Sequence, residues 1–189
     1  PVGGDKSVSQ RAVMLGSIFP GVLSVKNINS GEDVVVSIQA MRDLGREILI
    51  DGNMLYLHGG DNFIPKKDLI WLDGAGNPGR VIFGLLSSIP TPLTVDGNDV
   101  LRKRSMQRIK KPLTLMGAKF SESEYLPITL TGTSSLKGIE YTLPTGCAQT
   151  KTAILIAALF ADGKTTIHQP ILSRTHTEDM LEAWGYPLE

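Results

Sequence analysis

Three stretches of this chain carry the residue types that hold small anions. The first is Gly3-Gly4-Asp5-Lys6-Ser7-Val8-Ser9-Gln10-Arg11. The second is Gly74-Ala75-Gly76-Asn77-Pro78-Gly79-Arg80, and the third is Pro144-Thr145-Gly146-Cys147-Ala148-Gln149-Thr150-Lys151. Each combines glycine, short hydroxyl, thiol or amide side chains and a cation, and each runs into an apolar stretch long enough for a helix. At a helix start the first N–H groups lack intrahelical partners and the dipole presents its positive end, so an anion is favoured there. Lys6, Arg11, Arg80 and Lys151 would add full charges and charge-assisted hydrogen bonds. One glycine-rich helix approach is weak evidence, because glycines there also serve simply to make turns. Three in equivalent places of a repeat carry more. Plain structural roles compete with this reading: a solvated Arg11, and a Lys151 whose stem snorkels from a buried helix.

Other groups are less informative. Arg102-Lys103-Arg104-Ser105-Met106-Gln107-Arg108 precedes an apolar stripe of Met106, Ile109, Leu113 and Met116, and its plain reading is a solvated helix start. Pro112 inside that stripe is expected to bend or break the helix. In Ser173-Arg174-Thr175-His176-Thr177-Glu178-Asp179, Thr175 or Thr177 can cap a last helix, with Glu178 and Asp179 in its first turn. His58, His168 and His176 lack metal-ligand spacing, so no metal site is expected. No nucleophile elbow, Walker loop or strand-linked dinucleotide fingerprint occurs. Cys147 reads either as a thiol activated at a helix start or as a small packed residue.

The elements that must position these residues repeat along the chain. Met41-Arg42-Asp43-Leu44-Gly45, Leu113-Thr114-Leu115-Met116-Gly117 and Leu181-Glu182-Ala183-Trp184-Gly185 each end an apolar helical stripe on glycine. Upstream of each lie another helix and a short strand: Val22–Val25, Pro92–Val95 and Thr165–Ile167. The first unit continues with strands at Glu47–Ile50 and Met54–Leu57 around an Asp51-Gly52-Asn53 turn. The second continues with Pro127–Leu130 and Ile139–Thr142. Each unit therefore reads helix, strand, helix, strand, strand, over residues of about 1–60, 74–143 and 144–189. The third stops at Glu189 before its closing strands, so a piece of a longer protein is expected, a degenerate third unit being the alternative.

The 189 residues are 41% hydrophobic and 20% charged, a globular composition sufficient for one domain with its own core. Nineteen Lys and Arg balance nineteen Asp and Glu, which argues against nucleic-acid or polybasic membrane binding but leaves room for a local cationic cluster. The lone Cys147 forms no internal disulfide and fits a reducing compartment. The longest apolar run, Ala153 to Ala161, is too short to span a bilayer. Pro1–Lys6 has neither an initiator Met nor the apolar stretch of a secretory signal, so a processed or cut product is expected.

These motifs resemble the 5-enolpyruvylshikimate-3-phosphate (EPSP) synthase family. Gly4-Asp5-Lys6-Ser7-Val8-Ser9-Gln10-Arg11-Ala12 is similar to its opening Gly-Asp-Lys-Ser-x-Ser-x-Arg-Ala. Gly31-Glu32-Asp33-Val34, Gly76-Asn77-Pro78-Gly79, Leu101-Arg102-Lys103-Arg104-Ser105-Met106, Leu136-Lys137-Gly138-Ile139-Glu140-Tyr141, Ala148-Gln149-Thr150-Lys151 and Ser173-Arg174-Thr175-His176-Thr177-Glu178 follow in family order. The match runs through the whole chain and covers the N-terminal half of the family's length.

The resemblance implies an α/β fold of βαβαββ-type repeats about a pseudo-threefold axis, as one domain of two, with the C-terminal domain as partner. It implies transfer of the enolpyruvyl group of phosphoenolpyruvate to shikimate 3-phosphate, without metal or organic cofactor. It implies a cytoplasmic enzyme, or a plastid one in a plant, without nucleic-acid or membrane partners, in a family that glyphosate inhibits. By residue match it assigns Lys6, Ser7, Arg11, Cys147, Ala148, Gln149 and Arg174 to shikimate 3-phosphate. It assigns Lys6, Gly79, Arg104 and Gln149 to phosphoenolpyruvate, with Lys6 catalytic. The isolated chain is expected to be inactive, because the family's acid/base carboxylates belong to its second domain. The sequence departs from the family in three places. Cys147 replaces a serine, Ser105 replaces a proline, and the loop after Gly79 is altered so that either Arg80 or Phe83 aligns with the family arginine. These departures keep a non-catalytic relative as an alternative; another enolpyruvyl transferase is a further one.

Overall fold

The structure is a computed structural model that describes residues 3–189; Pro1 and Val2, part of the expected first repeat, lie outside the described residues. The chain begins with α1 (Lys6–Gly16), β1 (Gly21–Lys26), α2 (Glu32–Asp43), β2 (Glu47–Asp51) and β3 (Met54–Gly59). Next come β4 (Leu69–Trp71), α3 (Pro78–Leu86), β5 (Pro92–Asp96), α4 (Asp99–Arg102), α5 (Gln107–Leu115), β6 (Lys119–Phe120) and β7 (Ile128–Thr131). It ends with β8 (Glu140–Thr142), α6 (Ala148–Ala158), β9 (Thr166–His168) and α7 (His176–Ala183). The fold is α/β, with two compact units. One gathers the chain up to Gly79 with Leu93–Arg104 and Tyr125–Ile128; the other gathers Arg80–Pro92, Ser105–Glu124 and Thr129–Glu189.

In the first unit β3 lies between β1 and β2, antiparallel to both. The alternation of Met54-Leu55-Tyr56-Leu57-His58 drives this: Leu55 and Leu57 are buried while Tyr56 and His58 face solvent. Asp51 pairs with Met54, so Gly52 and Asn53 form the two-residue turn, with Gly52 at φ 56°. α1 buries Ala12, Val13 and Leu15, and α2 buries Val34, Ile38 and Met41, a stripe at helical spacing. Arg46 fastens this unit from below. Its guanidinium donates to the carbonyls of Ser17 at 2.8 Å, Asn62 at 3.0 Å and Gly60, and stacks 3.7 Å from the centre of the Phe63 ring. β4 and β5 pair in parallel, Ile70 opposite Val95.

In the second unit α3 buries Val81, Ile82, Phe83, Leu85 and Leu86. Gly84 presses against the backbone of Ala153 in α6, where any side chain would collide. The Phe83 and Phe120 rings meet at a tilt of 53° with centroids 5.9 Å apart. β6 and β7 pair antiparallel, Phe120 opposite Leu130, and β8 pairs in parallel with β9. This corrects the sequence reading of the second repeat. Its closing strands are β6 and β7, and β8 belongs with the third repeat as the strand that leads into α6. The two residues of β6 are too few to show alternation, which is why the sequence hid them. Pro112 does not break its helix: α5 continues through it.

The three repeats close in the same way. After α2, the N–H of Gly45 bonds to the Arg42 carbonyl at 3.0 Å and that of Arg46 to Met41 at 2.9 Å. After α5, Gly117 bonds to Thr114 at 3.0 Å and Ala118 to Leu113 at 3.1 Å; after α7, Gly185 bonds to Glu182 and Tyr186 to Leu181, both at 2.9 Å. This is the paired-bond terminator that needs a left-handed residue, and the glycines sit at φ 98°, 116° and 81°. In the third repeat β9 pairs, among the described residues, with β8 alone. Thr166 N–H and the His168 carbonyl bond toward the β8 side, so the backbone groups of Ile167 between them face the open edge.

The two kinds of closing glycine are expected to differ in tolerance. Gly185→Ala should cost about 1–2 kcal/mol, the strain of a left-handed alanine, since no atom lies within 4 Å of the added methyl. Gly45→Ala should cost at least ~1 kcal/mol more, because its methyl would stand 3.2 Å from the Ile64 carbonyl carbon and closer still to the oxygen. Urea unfolding of both variants measures the difference, and equal losses would contradict the packing.

Candidate anion-binding site

At the start of α1, Asp5 caps the helix by accepting the Val8 N–H at 2.8 Å. Gly4 faces the Asn27 carbonyl oxygen with no room for a side chain, and Asn29 fastens the approach by donating to the Gly4 carbonyl at 2.8 Å. Ser7 and Arg11 lie one turn apart. Arg11 is buried, not a solvated face residue, and its Nη1 donates to the Ser7 carbonyl at 3.0 Å and to Ser7 Oγ at 2.6 Å. Lys6 is exposed and forms an ion pair with Asp33, in the first turn of α2, at 2.8 Å. Gln10, buried beside them, donates to the Asp33 carbonyl at 3.2 Å and accepts from Asn77 Nδ2. One amide side chain thus ties α1 to the start of α2 and to the approach of α3.

The approach to α3 contains Gly76, and Gly79 is the second residue of the helix. A side chain at Gly79 would abut the Leu101 methyls at 3.1 Å, and one at Gly76 would collide with the guanidinium of Arg104. Arg104 follows α4, whose Arg102 forms a bidentate pair with Asp96: Nε to Oδ1 at 2.9 Å and Nη2 to Oδ2 at 2.6 Å. The Arg102 hydrogen bond holds the Asp96 carboxyl below its ordinary pKa, against the opposing effect of burial. Of the phosphoenolpyruvate set expected from the sequence, Lys6, Gly79 and Arg104 all belong to this first unit, and Gln149 belongs to the second.

In the second unit Cys147 is the N-cap of α6, followed by Ala148 and Gln149 in its first turn. Arg80, at the start of α3, donates from Nη1 to Gln149 Oε1 at 3.0 Å. Phe83, one turn further along α3, is fully buried. The half-buried Cys147 thiol feels burial most strongly, which pushes its pKa up. The Thr150 hydroxyl, donating to Sγ at 3.3 Å, the N–H groups of Thr150 and Gln149 and the charge of Arg80 together outweigh burial and leave it lowered. Sγ makes no formal capping bond, so those N–H groups act on it as dipoles at longer range.

Lys151, one turn along, does not snorkel. It is 4% exposed and lies 2.5 Å from Glu178 of α7. The contact is an ion pair: neither Lys151 Nζ nor Glu178 Oε2 makes a well-directed hydrogen bond. Thr177, offered by the sequence as a cap, is instead buried within α7 and shares a 2.7 Å hydrogen bond with Thr152. Thr175 occupies the cap position and donates to Asp179 at 3.0 Å without capping a backbone N–H. Arg174, just before α7, is exposed. The expected shikimate 3-phosphate residues therefore divide: Lys6, Ser7 and Arg11 in the first unit, Cys147, Ala148, Gln149 and Arg174 in the second.

Sequence reasoning missed the acceptors behind the cations. It gave no role to Gln10, to Asp96 or to Glu178 as a partner of Lys151. An acidic residue six positions before Arg102 was the only local sign of that pair.

In this α/β architecture the starts of α1, α3 and α6 carry cations, amides and close-packed glycines, groups of the kind that favour a bound anion. The comparisons with known proteins narrow this. The family model described as EPSP synthase (3-phosphoshikimate 1-carboxyvinyltransferase) matches residues 1–189, and the chain belongs to that family. It is 40% identical over 193 residues to the 3-phosphoshikimate 1-carboxyvinyltransferase of Thermoanaerobacter sp. (strain X514), covering 100% of this chain and 45% of that protein. The enzyme of the same name from Lactococcus lactis subsp. cremoris (strain SK11) is 40% identical over 189 residues, covering 97% and 44%. Among solved structures, EPSP synthase from Acinetobacter baumannii matches with a TM-score of 0.94 at 39% identity, over 100% of this chain and 44% of that one. The chain spans about half the length of the curated relatives it matches.

Two outcomes follow from the second unit. Glu178→Ala should destabilise the fold by about 3 kcal/mol by stranding a buried ammonium, whereas Lys151→Met combined with Glu178→Leu should recover most of the loss. Thermal and urea unfolding decide this. The rate of Cys147 alkylation by iodoacetamide should rise at a pH below the ordinary thiol range. Thr150→Val should move that rise to higher pH, because a hydrogen bond to the thiolate is lost; an unmoved profile would refute the role given to Thr150.

Proposed function

We propose that this chain is the shikimate 3-phosphate-binding half of a 3-phosphoshikimate 1-carboxyvinyltransferase. That enzyme transfers the enolpyruvyl group of phosphoenolpyruvate to shikimate 3-phosphate and releases phosphate. The observation that carries the reading is the start of α1, where buried Arg11 backs the Ser7 hydroxyl beside the exposed Lys6 ammonium. Both substrates are anions and must be brought together against their repulsion, which fixed cations and helix dipoles compensate without reorganising. In this reading Ser7 and Arg11, with Cys147, Ala148, Gln149 and Arg174, receive shikimate 3-phosphate. Lys6, Gly79, Arg104 and Gln149 receive phosphoenolpyruvate. Lys6 contacts both and is the catalytic residue, exchanging Asp33 for the substrate anions.

Turnover in this reading requires a complementary C-terminal half, since one wall leaves the ligands in water, where electrostatic stabilisation is weak. A cytoplasmic setting, or a plastid in a plant, accompanies it. The open edge of β9 supports the further reading that the whole chain is one domain whose third repeat is closed by another strand pair. So does a cavity of about 680 Å³ lined by residues of α6, β9 and α7. A second reading, a non-catalytic relative, is favoured by Cys147, since a thiol is a weaker donor than the family's serine, and by the altered loop at Arg80.

Titration calorimetry with shikimate 3-phosphate tests the proposal. The chain alone should bind it, and Arg11→Ala should weaken binding by about 1.5–3 kcal/mol, with circular dichroism confirming that the variant folds. Cys147→Ser should bind equally or more tightly. Phosphate release from both substrates should be absent with the chain alone and appear when a matching C-terminal half is added. Failure to turn over with a folded matching half would favour the non-catalytic relative, and turnover by the chain alone would refute the half-site.

A further inference from the structure

Among the described residues, Arg104 is the one assigned phosphoenolpyruvate cation without a hydrogen-bond or ion-pair partner. It is exposed, and among the described residues no carboxylate or carbonyl holds its guanidinium. A long surface side chain of this kind has many rotamers, so its direction has to come from its surroundings.

Those surroundings are unusually restrictive. α4 has only four residues, too few to stand by its own hydrogen bonds. Asn98 caps it, accepting from the N–H groups of Val100 at 3.0 Å and Leu101 at 3.3 Å. Asp96 grips its far end through both bonds to Arg102, while its Oδ1 also accepts the Gly97 N–H at 2.8 Å. Leu101 is fully buried, and its side chain occupies the space beside Gly79 and Gly97 that other residues would fill. The Arg104 N–H closes the turn on the Leu101 carbonyl at 3.0 Å. With the backbone fixed, the guanidinium comes to lie against Gly76, its Cζ 3.0 Å from where a Cβ would stand. Only glycine leaves that place vacant, and it stands two residues ahead of the first residue of α3.

We propose that Gly76 and the Asp96–Arg102 pair are positioning residues that hold the Arg104 guanidinium with its Nη1 turned toward the approach to α3, preset to receive an anionic group of phosphoenolpyruvate. The inference rests on the substrate reading above and adds the device that aims the arginine. Gly76→Ala expels the guanidinium rather than the backbone, because the obstacle is the end of a flexible side chain. Asp96→Asn weakens the grip on α4 from the other side. Neither residue touches the ligand.

The test is a titration of the 189-residue chain with phosphoenolpyruvate in the presence of shikimate 3-phosphate, followed by NMR at the Arg104 Nε–Hε resonance. In the wild-type chain that resonance should shift saturably. Gly76→Ala should displace it even before ligand is added, leave the midpoint of thermal unfolding and the amides outside the two loops unchanged, and weaken binding about tenfold or more. Asp96→Asn should weaken binding in the same sense, and Asp96→Glu should restore part of it. Unchanged affinity in a folded Gly76→Ala chain, with wild-type binding intact, overturns the positioning role alone. No saturable shift in the wild-type chain overturns the substrate reading and the positioning role together.

Discussion

A positive charge near the start of a helix is opposed by the helix itself, whose dipole is positive at the same end. This chain places cations there repeatedly, and the structure answers four of them with a built-in acceptor. Ser7 receives Arg11, Asp33 receives Lys6, Gln149 receives Arg80 and Glu178 receives Lys151. The repulsion explains why otherwise unrelated details recur. Amides and hydroxyls are buried beside the helix starts, Gln10 ties three segments together, and glycines leave space for the cations to approach. Without those acceptors the buried charges would be strongly unfavourable. With them, the cations are held close to the first N–H groups of the helices, the setting an incoming anion needs.

The acceptors are not equivalent. Gln149 and Ser7 are neutral and keep their partners at full charge, whereas Asp33 and Glu178 neutralise theirs. Of the two lysines Lys151 is the enclosed one, and its pair with a carboxylate joins α6 to α7. Lys6 is the most exposed, so its carboxylate can be exchanged for another anion at small loss. Burial thus separates a structural pair from an exchangeable one, although both are lysine–carboxylate contacts.

Much of this was legible in the sequence. The glycine-terminated stripes gave α2, α5 and α7, and the alternation in Met54–Leu57 gave β3. The approaches to α1, α3 and α6 stood out because glycine, cation and small polar residues lie within a few positions of each other. What escaped depended on distance along the chain. Strand β8 was assigned to the wrong repeat because its three residues pair with β9, which the chain reaches only after a whole helix. β6 was invisible at two residues. Lys151 was expected as an anion-binding cation, with snorkelling as the plain alternative, because Glu178, a full helix and strand away, decides its environment. Arg11 was offered a solvated role for the same reason: its burial comes from packing, and only the hydrogen bond to Ser7 is local.

The bare edge of β9 bears on how such a chain behaves in a tube. Ile167 offers an unpaired donor and acceptor to any passing strand, and the following Ile171 and Leu172 are 60% and 86% exposed. No proline or lysine stands within β9 to discourage a neighbour. At high concentration two molecules can satisfy each other there, edge to edge. Colloidal behaviour, governed by these few residues, would then set the concentration at which single molecules persist.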